Sequence, residues 1–390
     1  MRPAVGFGIL LLAAAPTWAL AADPWPAEAA SGAVNLTSIE GPEPNDFHVD
    51  LSGAFWNSKA KRLWVCRNGG TTGSKFWALV PGAGGSLQIE YRAGLRGEWT
   101  GFGDLEDITQ VDLDADVLYL IAEGEEHVKS YDVSIFGTAV LLRDWNVRPH
   151  LPLNGGLGAE GITFVPDRFL AAAGFVASDG SPYTSTRGMG GLMLVGHQNG
   201  GAVFAFDLDP GSNAFTFVGE YRTAYDETAA LHFDRGNGRL YIWHDADWDT
   251  WEVVDLSSTP IAGSSARQFR VVRTFNGPHH RNNEGLALTS IDECAAGSRS
   301  AFLTTDGGGV ESLTWFTTYA DGCTTLSANK NAGTGTVELG WSGGASPFTV
   351  LRAEDPRLIQ GRTTLVDQAP VTTLADPVLG DGKSYFYLVP

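Results

Sequence analysis

The chain has 390 residues, with 45 Asp and Glu against 26 Lys and Arg for a formal charge of −19. That balance argues against nucleic acid and anionic lipid as partners, because both need a basic footprint. The 49 glycines, 12 tryptophans and 20 phenylalanines suit many short strands joined by tight turns, which is an all-β composition.

The N-terminus carries Arg2, an apolar run from Val5 to Ala15 and the small-residue stretch Ala19-Leu-Ala21. This pattern predicts a signal peptide over residues 1–21, and the run is too short to anchor in a bilayer. The expected location is secreted or periplasmic. No other segment approaches eighteen uninterrupted apolar residues, so no membrane span is expected.

From residue 33 to 323 a repeat recurs five times. Its opening members are Ser52-Gly-Ala-Phe, Glu106-Asp-Ile-Thr, Glu160-Gly-Ile-Thr, Glu227-Thr-Ala-Ala and Glu284-Gly-Leu-Ala, spaced by 54, 54, 67 and 57 residues. Each is followed by an apolar strand that ends in a polar residue: Asn68, Glu123, His197, Asp245 or Asp306. Repeats of this length with about four strands apiece predict a ring of blades, here a five-bladed β-propeller with six blades as the alternative. The fifth repeat has only three strands, and Ala33 to Ile39 is expected to supply its outer strand, closing the ring and removing an exposed edge. No helix is expected; the stretch containing Ala171-Ala-Ala173 reads as a loop beside Gly174, Gly180 and Pro182. Of three cysteines, Cys294 and Cys323 fall on one face of the ring and are expected to pair. Cys66 ends an apolar strand and reads as a buried thiol.

The openings of the first strands and the turns after the second strands share one face of a propeller, so both polar columns converge there. Several carboxylates around one axis repel each other unless some hold protons or share a cation. Calcium, which takes six to eight oxygens in flexible geometry, suits Glu106, Glu160, Glu227 and Glu284, with Asn283 and Asp245 as further ligands. Zinc would prefer several imidazoles. A glutamate in this column could equally do no more than hydrogen-bond the next blade's backbone and fix register. For catalysis, Glu160 or Glu284 would act as base, while His197, His244 or Arg281 would stabilise negative charge. The segment His279-His280-Arg281-Asn282-Asn283 reads either as a solvated loop or as a cationic lip able to hold an anionic substrate over a metal.

The Glu-Gly-(Ile/Leu) openings at Glu160 and Glu284, the stretch Asn282-Asn-Glu-Gly285 and the strand Gly200 to Leu208 resemble the group containing β-propeller phytases, phytase-like esterases and gluconolactonase-like propellers. The resemblance implies a divalent cation in the central site and hydrolysis of a phosphate ester or lactone. It carries over only to Glu106, Glu160, Glu227, Glu284 and Asn283. Ser52 departs from the glutamate pattern, and the lysines of a phytate site are absent. Residues 325–390 resemble a fibronectin type III module, with Trp341 and the Tyr385/Tyr387 pair at its core positions. The appended module leaves a second expectation open: a non-catalytic binding or adhesion protein that recognises a glycan, peptide or cation; the expected partner is a small anionic molecule or glycan.

Overall fold

The computed structural model describes residues 22–40, 47, 50–69, 73–153, 155–244, 249–278, 282–306, 312–331, 333, 336–343, 348–353, 363–369, 373–376 and 386–388. The expected signal peptide, Asp245, Arg281 and the pair His279-His280 lie outside them.

The described chain is nearly all strand. Five strands lie innermost: Leu51–Asn57, Leu105–Thr109, Ala159–Pro166, Ala230–Asp234 and Asn283–Leu288. Each touches the next, and the fifth touches the first. Further antiparallel strands stack outward behind each one, a propeller-like arrangement. The second strands read as continuous apolar runs because both of their faces are covered. Trp64 and Cys66, for example, pack toward Leu105 and Ile108 of the second unit, while Leu63 and Val65 pack toward Phe302 and Leu313 of the fifth. Apolar clusters likewise fill the interfaces between units two and three, three and four, and four and five. The core is therefore a set of wedges between neighbouring sheets.

The N-terminal segment closes the fifth sheet as the repeat pattern requires. Val34 and Asn35 pair with Trp315 and Thr314. This closing strand is only two residues long, because the chain then turns into the short 3-10 segment Thr37–Glu40 and plants Leu36 in the core. The outer edge of the first sheet is also split: Leu87–Ile89 and Glu98–Thr100 pair with opposite halves of Lys75–Pro81. The outer strands of units three and four meet in a short parallel pairing, Tyr221 with Arg267 and Arg222 with Gln268.

One expectation is corrected. Asp167–Ala173 is an α-helix rather than a loop, with Leu170 and Ala173 buried. Asp167 sits in its first turn, where an acid suits the helix dipole, and the alanines are strong helix formers. Gly174 ends it in a left-handed conformation at φ 63°, so the breakers that suggested a loop lie beyond the helix.

The inner strands approach too closely for side chains at some positions. A Cβ on Gly285 would lie 2.2 Å from the Ser52 carbonyl oxygen and 2.8 Å from the Gly53 Cα. The glycine after Glu284 is thus a packing requirement of the ring.

Beyond Cys323, Thr324–Asn331, Thr336–Gly343 and Thr373–Asp376 form one three-stranded sheet, and Thr363–Ala369, Phe348–Ala353 and Phe386–Leu388 another. Val337, Leu339, Trp341 and Val350 make its small core. The Cys294–Cys323 disulfide ties the fifth unit to the start of this segment, and Cys66 is free and buried.

Candidate functional site: an acidic mouth

Glu106 and Glu160 open adjacent inner strands and meet at the axis. Both are buried, at 4% and 8% exposure. Glu106 accepts hydrogen bonds from Ser52 Oγ at 2.9 Å and from Asn68 Nδ2 at 2.7 Å. The Glu160 carboxyl group is near enough for each of the two to act on the other's proton. Two neighbouring buried carboxyl groups repel each other when both are ionised, so the first proton is held more tightly. Burial pushes Glu106 up to about 8, helped by the negative charges of Asp104 and Glu123. Burial also pushes Glu160 well above the carboxylate range, and Glu106, Glu284 and Glu123 add to that. Among the described residues, no lysine, arginine or histidine pairs with either group.

Glu123 stands beside this pair, where it accepts from the Gly158 N–H at 2.9 Å; burial raises it, as does Asp104. Oxygens of Asp104, Glu106 and Glu123 lie within 4.8 Å of one another, close enough to share a cation. Glu284 accepts from Asn282 Nδ2 at 2.6 Å, and the same amide reaches Asp306 at 3.3 Å. Asp306 is raised by burial and then by Asp50.

The remaining candidates fall elsewhere. Glu227 is half-buried and accepts from Gln198 Nε2 at 3.1 Å; it is not among the principal charges acting on Glu106 or Glu160. His197 is fully buried: its Nδ1 accepts from the Asn199 N–H at 3.1 Å, which places the ring proton on Nε2 facing Glu126 at 3.3 Å. His244 is fully buried too, between the Glu227 carbonyl and Glu252, 3.0 Å away. Both imidazoles are used by the fold and do not face the mouth. Asn283 is buried as well, donating to Asp249 at 3.2 Å and accepting from Thr305 at 3.3 Å.

The register-fixing role considered for the glutamates belongs to Asp107. Its two oxygens accept from the N–H of Ile108 at 2.7 Å and of Ile162 at 2.8 Å, which ties the second inner strand to the third. Cys66 bridges similarly, accepting from the Gly53 N–H at 3.2 Å, and burial raises its thiol so that it is no nucleophile. Asp104 went unnoticed in the sequence. It precedes the strand Leu105–Thr109, and the bulge at Glu106 breaks the strand period there, so no alternation pointed to it.

No family model matches the chain, and no curated protein matches it. Among solved structures it is similar to Saccharomyces cerevisiae Sqt1, at 10% identity and TM-score 0.31 over 73% of this chain and 66% of that one. It is also similar to Chaetomium thermophilum Sqt1 bound to the N-terminus of the ribosomal protein L10, at 14% identity and TM-score 0.31 over 72% and 65%. The chain thus spans just under two thirds of the length of each. Likenesses this loose carry no argument about activity or partners.

Proposed function

We propose that this chain is an exported five-bladed β-propeller, followed by a fibronectin type III-like module, that binds a divalent cation in its acidic mouth and through it a small anionic molecule or glycan. The carrying observation is the cluster of carboxyl groups at the mouth: Glu106 and Glu160, buried, acting on each other and with no cationic partner among the described residues, and oxygens of Asp104, Glu106 and Glu123 within 4.8 Å of one another. A cation can replace their shared proton and spread its charge over the surrounding oxygens. The donors are all oxygen and the nearby imidazoles are turned into the fold, which suits calcium better than zinc. The disulfide and the signal-like N-terminus support export. A cation held by an incomplete set of carboxylates keeps sites open for an anionic ligand.

Metal-dependent hydrolysis of a phosphate ester or lactone is the second reading. One observation favours it: a protonated carboxyl beside another carboxylate is the arrangement that separates acid from base roles. Glu160 would then be the acid.

Calorimetry on protein stripped with chelator tests both. Calcium should bind with a heat that depends on the buffer, because the shared proton is released. Glu106→Gln and Glu160→Gln should each weaken binding at least about tenfold, or about 1.4 kcal/mol. Unchanged affinity in both variants would remove the site from these residues. Turnover of p-nitrophenyl phosphate or a simple lactone, dependent on calcium and lost in Glu160→Gln, would select the hydrolase.

A further inference from the structure

The five sheets end outward in unlike edges. A sheet edge presents unpaired backbone groups that invite another strand, so proteins shorten, cover or charge it. Four of the five are treated in this way. In the first sheet the edge is split between Leu87–Ile89 and Glu98–Thr100, and in the fifth it is the two-residue strand Val34–Asn35. The outer strands of units three and four pair with each other. Ser178 also covers the former, donating its N–H to the Val218 carbonyl at 3.1 Å, and Asp23 bridges the latter at Phe275. The second sheet ends instead in the nine-residue strand Thr138–Asn146. Its far half is covered, since Arg143 donates to the Gly211 carbonyl at 2.9 Å and Trp145 Nε1 to the Ser212 carbonyl at 3.1 Å. Along Thr138 to Leu142 no strand pairs with the outer side among the described residues.

That open half is apolar where an edge usually carries charge. Val140 and Leu141 point to opposite faces of the strand and are 53% and 51% exposed. Leu142, Ile135, Tyr91 and Leu95 are exposed as well. The last two belong to a hairpin that lies against the start of the strand, where Arg92 stacks over Phe136 at 4.6 Å. Six of the nine large apolar side chains exposed among the described residues therefore gather on this rim. Scattered exposed leucines are ordinary, but a gathered set marks a contact surface.

Charge selects the occupant. A chain of formal charge −19 repels its own copy over most of its surface, yet Thr138 to Leu142 carries no charge at all. A strand that meets its copy about a two-fold axis must be self-complementary, and like charges directly opposite are destabilising. With the axis at Val140, Thr138 faces Leu142 and Ala139 faces Leu141. Beyond them Arg143 faces Gly137 and Asp144 faces Phe136, so no like charges meet. We propose that two copies of this chain join here, the second sheet of one continuing into the second sheet of the other through antiparallel pairing of Thr138 to Leu142. The edge lies at the periphery of the ring and the acidic mouth at its axis, so the pairing leaves both mouths open.

Sedimentation velocity of the full chain tests this, run in chelator so that a cation at the mouth plays no part. The parent should sediment as a dimer at about 100 μM, and Val140→Lys should weaken association at least about tenfold. Val140→Glu should do the same, because each variant sets like charges face to face at the axis. An equimolar mixture of the two should regain the dimer, since opposite charges then meet. Leu153→Lys, at an exposed leucine outside this rim, should associate as the parent does. A parent that stays monomeric at that concentration leaves the edge to a foreign strand and overturns the proposal. So does a dimer indifferent to Val140→Lys, or a mixture that associates no better than the separate variants.

Discussion

The two ends of the same five strands treat buried charge in opposite ways. At the end near residues 232–235, acids meet guanidinium groups at contact distance. Asp234 pairs with Arg299 at 2.5 Å, and Asp321 pairs with Arg273 at 3.0 Å while accepting from Tyr241 at 2.7 Å. At the other end Glu106 and Glu160 meet a hydroxyl, an amide and each other. The chain has neutralised one set internally and has left the other to protons or to something from solution. Since both sets are buried, the difference is one of partner and not of depth.

The largest effect expected from this contrast lies at the neutralised end. Arg299→Met strands Asp234 as a buried charge, and breaking such a pair costs about 3–5 kcal/mol. Urea unfolding should show a loss of that size, mostly recovered in the double variant Arg299→Met with Asp234→Asn. A loss under about 1 kcal/mol in the single variant would mean that Asp234 is not held by Arg299. The acidic end should behave in reverse. Burial and the neighbouring carboxylates hold Glu160 protonated, so Glu160→Gln exchanges one neutral group for another of nearly the same shape, and in chelator the variant should be about as stable as the parent. Calcium at a hundredfold above its Kd should stabilise the parent by about 2.7 kcal/mol and Glu160→Gln, with affinity weakened at least tenfold, by no more than about 1.4 kcal/mol. If both proteins respond alike, the contrast between the ends is not a cation site.

Much of this is legible in the amino-acid sequence. Period and strand alternation gave the five openings, ring closure by the N-terminal segment and the Cys294–Cys323 pair, because all three follow from where strand ends must fall on a ring. The helix at Asp167–Ala173 was hidden because seven residues with one buried stripe look like the loop around them, and its value lies in covering Leu170. The site was legible by face but not by side chain. His197 and His244 do end second strands on the acidic side, yet rotamer and neighbour turn them to Glu126 and Glu252, which no spacing rule encodes. Asp107, adjacent to Glu106, took the register role because Glu106 is the extra residue of a bulge, with Leu105 and Asp107 facing successive residues of the neighbouring strand, which frees Asp107 to reach the next unit. Sequence adjacency conceals that division.

The smallest expected effect is also the most diagnostic, since it concerns protons at the mouth alone. Glu106 rises from an ordinary 4.5 to about 8 on folding, and burial raises Glu160 well above its ordinary value too. A group whose folded pKa is raised stabilises the fold fully below its unfolded pKa, and that stabilisation is lost as pH climbs through the folded value. The cation-free protein should therefore melt a few degrees lower at pH 8.5 than at pH 6.5. His197 and His232 are lowered by burial, so their penalty develops as pH falls below the ordinary histidine value and does not produce this decline. Asp107, also raised by burial, contributes with the same sign, so the double variant Glu106→Gln with Glu160→Gln should flatten the slope without erasing it. Saturating calcium displaces the shared proton at every pH and should flatten it as well. The stabilisation by calcium must then be larger at pH 8.5 than at pH 6.5, and differential scanning calorimetry that finds the opposite order would place the cation on groups other than this pair.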